Sequence, residues 1–427
     1  MTAGLIASTP GAATAATWPV PYVRVGENPI SVEISPNGAL AYVTNAEDRT
    51  VSAIDTASKT VTATIPVGIQ PEDVAFTPDS RRAYITNAGD SNTDKGSVSV
   101  IDTAAKQVVS TVSVAAVIAP RAVAVTPDGT KAYVVGSGYE MSVIDTATNT
   151  ATPVHIGRSG ATDVKVTPDG SRVYIADFYS KRVVVVSTAT NSVIANVPLP
   201  TAPNRIAIMP DGLRAYATSY QADKVYMIAT AGNYVAATVS TPNPLAVAPA
   251  PNGRQVHVAD YDSNTMSSID VATNTVLGSR EIGMYAVSMA ITRTGTEAYV
   301  VLRSNYSVVI RDIAAEPGRD RVVAGERLEA GQSKTSPDGR YRLTMQTDGN
   351  LVLYNANNQA VWHTHTNGTG ATYAVLQYDG NFVVYAPHLE AKWHTNTWSS
   401  AADRFVVQND SNLVLYGPNG FPHWHRW

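Results

Sequence analysis

Apolar and polar residues alternate along most of this chain in short runs, and turn-forming clusters separate the runs. Strict alternation is the signature of half-buried strands. The runs come in units. In each unit one run ends at a Pro-Asp-Gly-type turn: "SPNG" at 35, "TPDS" at 77, "TPDG" at 126 and 167, "MPDG" at 209, "APNG" at 250, and a degraded "TRTG" at 292. Proline presets φ in such a turn and glycine accepts φ > 0. The marker positions Pro36, Pro78, Pro127, Pro168, Pro210, Pro251 and Arg293 are separated by 42, 49, 41, 42, 41 and 42 residues. The long step holds "GDSNTDKGS", read as a loop insertion. Six residues after each marker stands Tyr42, Tyr84, Tyr133, Tyr174, Tyr216, His257 or Tyr299, inside a second run. A third run of the "SVIDT" type and a fourth like "TVTATIPVG" complete the unit. Four short strands in about 42 residues predict a propeller blade.

Seven units predict seven blades. The seventh shows only three strands, over 286–313, and "VPYVRVG" at 20–26 matches the missing fourth. That segment is expected to close the ring by pairing with blade seven, which leaves no long open edge. Residues 1–19 are expected to form a disordered or processed tail, 20–313 the propeller, and 314–320 ("AAEPGRD") a linker.

From 321 to 427 the period changes. "QTDGNLVLY" (346–354) returns 31 residues later as "QYDGNFVVY" (377–385) and again as "QNDSNLVLY" (408–416). Read as one strand, alternation places Gln346, Asp348, Asn350, Val352 and Tyr354 on one face, with Leu351 and Leu353 toward a core. The same face recurs as Gln377, Asp379, Asn381, Val383 and Tyr385, then as Gln408, Asp410, Asn412, Val414 and Tyr416. Sheet packing does not demand the same polar residues in every copy. A carboxylate, two amides and a phenol in a row suit vicinal hydroxyls, which both donate and accept. The valine would offer surface to ring C–H groups. The expected ligand is a sugar.

Composition narrows the function. A net charge of −4 gives no reason to expect nucleic acid as partner. The chain has no cysteine, which excludes disulfides, thiolate metal sites and thiol nucleophiles. No apolar run is long enough for a membrane-spanning helix, so no membrane insertion is expected. Six of the eight histidines lie after residue 320, and His363 and His365 share a strand face. They lack acidic or thiolate partners at ligand spacing, so neither a metal nor another cofactor is expected. Nucleophile-elbow, phosphate-loop and zincin motifs are missing. In the propeller, Glu72, Asp73, Arg121, Asp163 and Arg205 stand where each blade's first strand begins. They are expected at one mouth of the central channel, either as a self-neutralising ring or as the place where a protein or small molecule docks on the propeller face.

Two resemblances sharpen these expectations. "AYVTN" (41–45), "AYITN" (83–87) and "SVIDT" (99–103 and 142–146) resemble the YVTN family of seven-bladed β-propellers, over about 20–313. The segment 320–427 resembles the bulb-type mannose-binding lectins of monocots and their bacterial relatives, which are three-sided β-prisms. Their motif, Gln-x-Asp-x-Asn-x-Val-x-Tyr, is matched at all five positions in all three copies. "VWHTHT" (361–366), "KWHTNT" (392–397) and "HWHRW" (423–427) resemble their central Trp strands. The resemblance implies α-mannose recognition, with Asp and Asn on the 2-hydroxyl, Gln on the 3-hydroxyl and Tyr on the 4-hydroxyl, and mannose-containing glycans as partners. Family members often carry a disulfide, which this chain lacks. Dimeric members exchange a C-terminal strand, whereas a monomeric prism is expected here. The fold expectation is an all-β chain, a seven-bladed propeller followed by a β-prism. The functional expectation is a secreted or cell-surface lectin. The alternatives are a lyase- or lactonase-like propeller enzyme targeted to glycans, and a surface adhesion or structural protein.

Overall fold

The computed structural model describes residues 22–90, 96–313 and 318–427, and only the backbone of Arg158. The expected tail, the first two residues of "VPYVRVG", the middle of the "GDSNTDKGS" insertion and most of the 314–320 linker lie outside the described residues.

The alternating runs become strands of antiparallel sheets. Blade 1 pairs Pro29–Ile34, Leu40–Asn45, Thr50–Asp55 and Thr60–Pro66 in sequence order. The pattern repeats to blade 7, where Ala286–Ile291, Glu297–Leu302 and Ser307–Asp312 are joined by Tyr22–Arg24. Tyr22 pairs with Val309 and Arg24 with Ser307. The ring is thus closed by the chain's first described strand. Blades 3 and 4 depart from four separate strands each. Lys131–Asp145 and Thr150–Val166 are continuous and carry two blade positions apiece, which fuses these blades into one six-stranded sheet. Glycine permits this. Gly138 and Gly157 have φ of 120° and 80°, and a Cβ on Gly160 would lie 2.0 Å from the Tyr179 ring.

Apolar side chains fill the space between neighbouring blades. Tyr42, Val51 and Ile65 of blade 1 pack with Val74, Phe76 and Ile85 of blade 2, all buried. Each such side chain contributes about 1.5–3 kcal/mol on burial. The recurring tyrosine also latches blade to blade. The hydroxyls of Tyr84, Tyr133, Tyr174 and Tyr216 donate to Oδ1 of Asn149, Asn191, Asn233 and Asn274, at 3.1, 2.9, 2.6 and 2.9 Å. Each asparagine sits in the turn before the next blade's fourth strand, with φ of 49–56°, a conformation asparagine tolerates well. Blade 6 would need such a turn in blade 7, where the fourth strand comes instead from the N-terminal side. This accounts for His257 in the tyrosine's place. It is buried and bonds Ser268 of its own blade at 3.0 Å. Burial holds its imidazole neutral, with a pKa near 3.

Blades 1 and 2 carry lysine, Lys59 (φ 56°) and Lys106 (φ 53°), at the turn position that holds asparagine in blades 3 to 6. Tyr299 then reaches the Thr56 carbonyl at 3.5 Å, whereas the Tyr42 hydroxyl is buried without a partner. Lys106→Asn should supply the missing acceptor and raise stability by about 1 kcal/mol. Urea melts of variant and wild type test this, with Tyr42→Phe as the background in which the gain should shrink.

The second unit is a prism of three sheets. Tyr341–Met345, Leu351–Asn355 and Ala360–His363 form one, Tyr373–Leu376, Phe382–Ala386 and Glu390–His394 the next, Arg404–Val407, Leu413–Tyr416 and Pro422–His425 the third. Three short strands, Ser333–Thr335, Glu326–Glu329 and Arg321–Val323, add one edge to each respectively. Trp362, Trp393 and Trp424 meet edge to face at 5.6–6.5 Å, over a core that includes Leu343, Phe382 and Phe405. The last strand pairs with Leu413–Tyr416 of the same chain.

The two units share a sheet. The outer strand of blade 6, Thr275–Glu281, pairs with Glu326–Glu329 of the prism through Ser279↔Arg327 and Arg280↔Glu326. An edge that would otherwise be open is covered.

Candidate functional site

The three motifs do not lie on single strands. Only Leu351–Asn355, Phe382–Ala386 and Leu413–Tyr416 are strands, and the residues before each form a turn. In the first copy the N–H of Gln346 bonds the Asn350 carbonyl at 2.8 Å, and that of Gly349 bonds Gln346 at 3.1 Å. Gly349 has φ 90°, and a Cβ there would lie 2.9 Å from the Ala371 carbonyl. The Asp-Gly pair is a turn former, and period-two reading runs straight through it. The third copy places Ser411 in this position at φ 72°, where glycine would be less strained.

The turn still gathers the polar groups. Gln346, Gln377 and Gln408 donate through Nε2 to the hydroxyls of Tyr354, Tyr385 and Tyr416, at 2.6, 2.9 and 2.8 Å. One oxygen of Asp348, Asp379 and Asp410 accepts the N–H of Asn350, Asn381 and Asn412, at 2.9, 2.9 and 2.8 Å. Oδ1 of Asn350 takes bonds from Thr364 and Thr366, and that of Asn381 from Thr395 and Thr397. Asn412 is braced by the Arg426 N–H alone, at 3.2 Å. These bonds fix the amides so that Nδ2 and the second carboxylate oxygen remain for a ligand. The valines differ from expectation. Val352, Val383 and Val414 are only 2–3% exposed, so they form a floor and do not offer an open platform.

The sites are not equivalent. Arg342 and Arg404 lie over the Tyr354 and Tyr416 rings at 5.4 and 5.5 Å. At the second site Tyr373 takes the arginine's place, 5.6 Å from Tyr385. The second site also abuts the propeller. Glu281 and Arg311 line a cavity of about 60 Å³ with Gln377, Tyr378 and Tyr385. Burial pushes the Asp379 carboxyl upward, whereas Asp348 and Asp410 are exposed.

The propeller's candidate residues split into two groups. Asp73, Asp163 and Arg205 line an axial cavity of about 310 Å³, and Glu72 and Arg121 are not in its wall. Burial pushes the Glu72 carboxyl up, against the pull of Arg205 and Arg121. Asp73 accepts from Ser31 Oγ at 2.7 Å and the Val123 N–H at 3.1 Å. Asp163 accepts from the N–H groups of Val164 and Ile206, at 2.8 and 2.9 Å. Both aspartates staple neighbouring inner strands. Sequence reasoning missed Glu33 and Lys165, which also line the cavity. The signal was present. Three residues before the turn marker the other blades carry Ala75, Ala124, Ala207, Ala248 and Ala290.

His363 and His365 stack at 3.9 Å, and no group of three His, Cys, Asp or Glu side chains placed to hold a metal occurs among the described residues.

No protein-family model matches the sequence, and no curated protein does. Among solved structures, a chain titled Kuenenia stuttgartiensis hydrazine synthase aligns with 68% of this chain and 98% of its own length, at TM-score 0.60 and 21% identity. At that identity the likeness is one of fold, and it fits the β-propeller.

Proposed function

We propose that the protein is a multivalent carbohydrate-binding protein, a mannose-directed lectin of the bulb type whose YVTN-like propeller serves as scaffold or second recognition surface. The supporting observation is the threefold recurrence of a glutamine locked to a tyrosine beside an aspartate and an amide held in place. Such preorganisation lowers the cost of ordering side chains on binding. A single shallow site should bind in the millimolar range, about −4 kcal/mol. Three sites facing different directions gain by avidity, roughly 10²–10⁴-fold where the glycan geometry allows. A cell-surface or extracellular setting follows from that reading.

Titration calorimetry of the full chain with α-methyl mannoside, with the galactoside as control, is the test. Combined Asp348→Ala, Asp379→Ala and Asp410→Ala should abolish mannoside heat while the circular dichroism spectrum is unchanged. Mannoside binding retained in the triple variant would overturn the site assignment.

A further inference from the structure

We propose that the axial cavity of the propeller is a second binding site, for a small zwitterion with an apolar side chain, of the class of free apolar α-amino acids. The cavity, about 310 Å³, lies at the lower end of the range for small-ligand pockets. Of the five alanines in that column of the inner strands, Ala207, Ala248 and Ala290 line the cavity and leave it open, and blades 1 and 4 place Glu33 and Lys165 in the same column. The two are not within ion-pair distance of each other. Lys165 meets Asp163 at 3.1 Å, and Glu33 makes no hydrogen bond or ion pair among the described residues.

The aspartates of the cavity are engaged by strand N–H groups, which leaves Glu33 as the free acceptor. Lys165 keeps further donors, and Arg205 uses one on the Thr162 carbonyl at 3.1 Å. A ligand that satisfies both ends carries an ammonium for Glu33 and a carboxylate for Lys165 and Arg205. Toward the turn end the wall is apolar, with Ile34, Val166, Ile208 and Ile291, which suits an aliphatic or aromatic side chain. Glu33 is reached by solvent through the cavity but enclosed by protein. Burial, with Asp73 and Asp163, lifts its pKa to about 7 against the pull of Lys165. An ammonium ligand requires the ionised form, so affinity should rise from pH 6 to pH 8.

The test is calorimetry of the full chain with L-leucine, L-methionine and L-phenylalanine, and with N-acetyl-leucine and leucinamide, which each lack one charge. At least one free amino acid should bind, and both blocked forms should bind tenfold or more weakly. Glu33→Gln should weaken binding by a similar factor and remove the pH slope, with mannoside titration and melting temperature as folding controls. No heat with any of the three amino acids overturns the proposal. Equal affinity for leucine and N-acetyl-leucine overturns it also, and needs no variant to fold.

Discussion

Lys334→Met should destabilise the junction between propeller and prism by about 3–5 kcal/mol, the loss typical when one partner of a buried ion pair is removed. Lys334 and Glu326 meet at 2.6 Å, with side chains 4% and 0% exposed. The ammonium has three donors, and all are used. The other two bond the Leu277 carbonyl of blade 6 at 2.8 Å and the Gly318 carbonyl at 2.9 Å. The second oxygen of Glu326 accepts the Val323 N–H at 2.9 Å. One side chain therefore ties the outer strand of the propeller, the connecting segment and the prism. Methionine fills the volume but leaves a buried carboxylate and two carbonyls unpaired. Burial already pushes the Glu326 carboxyl up, and Lys334 is the main counterweight, so the variant's carboxyl should take a proton. The fit leaves no slack, since a Cβ on Gly278 would lie 1.8 Å from Glu326 Oε1. Urea melts of the full chain, with limited proteolysis in the segment between 313 and 321, measure the effect. Adding Glu326→Gln to the variant should recover part of the loss, because a neutral amide still accepts from Val323. A change below about 1 kcal/mol in Lys334→Met would mean that the pair is not what holds the units together.

That junction was not legible in the sequence, for a physical reason. Lys334 and Glu326 stand outside the repeated motifs, Gly278 sits in a fourth-strand column where other blades carry Ala63, Ala195 and Ala237, and each is unremarkable alone. What was legible recurs. The turn markers and the tyrosine column specified the blades because every blade must solve the same packing problem. The motif residues at 346–354, 377–385 and 408–416 stood out for the same reason. Even there the reading failed locally, because an Asp-Gly turn can preserve alternation while the chain ceases to be a strand. In the channel, attention to strand beginnings found Asp73 and Asp163, whose carboxylates staple strands. Glu33 and Lys165 lie farther along the first strands, in a column otherwise occupied by alanine. A charged residue in place of a repeated alanine carries more information than a charge at a loop, where charge is ordinary.

Asp260→Asn should stabilise the protein at pH 8, on the order of 2–4 kcal/mol, and leave it nearly unchanged at pH 4. At the end of the second strand, blades 1 and 2 carry Asn45 and Asn87. Their Nδ2 groups donate to Thr50 and Ser52, and to Ser97 and Ser99, at 3.0–3.1 Å. Blade 6 has Asp260 with the matching hydroxyls, Thr265 and Ser267, at 3.0 and 2.8 Å on Oδ2. Its Oδ1 has no partner, and the residue is fully buried. Blade 4 shows how a carboxylate is accommodated in this place, since Asp177 has Arg182 at 2.9 Å and the Gly160 N–H at 3.0 Å. Asp260 lacks such a cation, and burial raises its pKa to about 7 from the ordinary 3.8. The folded protein thus binds more protons than the unfolded chain between those values, so stability falls as pH rises through that window and levels off above it. Asparagine removes this slope and lets the two hydroxyls act as acceptors, as in blades 1 and 2. Glu33 titrates in the same range, but it is hydrated through the cavity and should leave only a shallow residual slope. Urea melts at pH 4, 6 and 8 separate the two contributions. A variant less stable than the wild type at pH 8 would show that the slot in blade 6 is built for the charge, and that the likeness to blades 1 and 2 is one of shape alone.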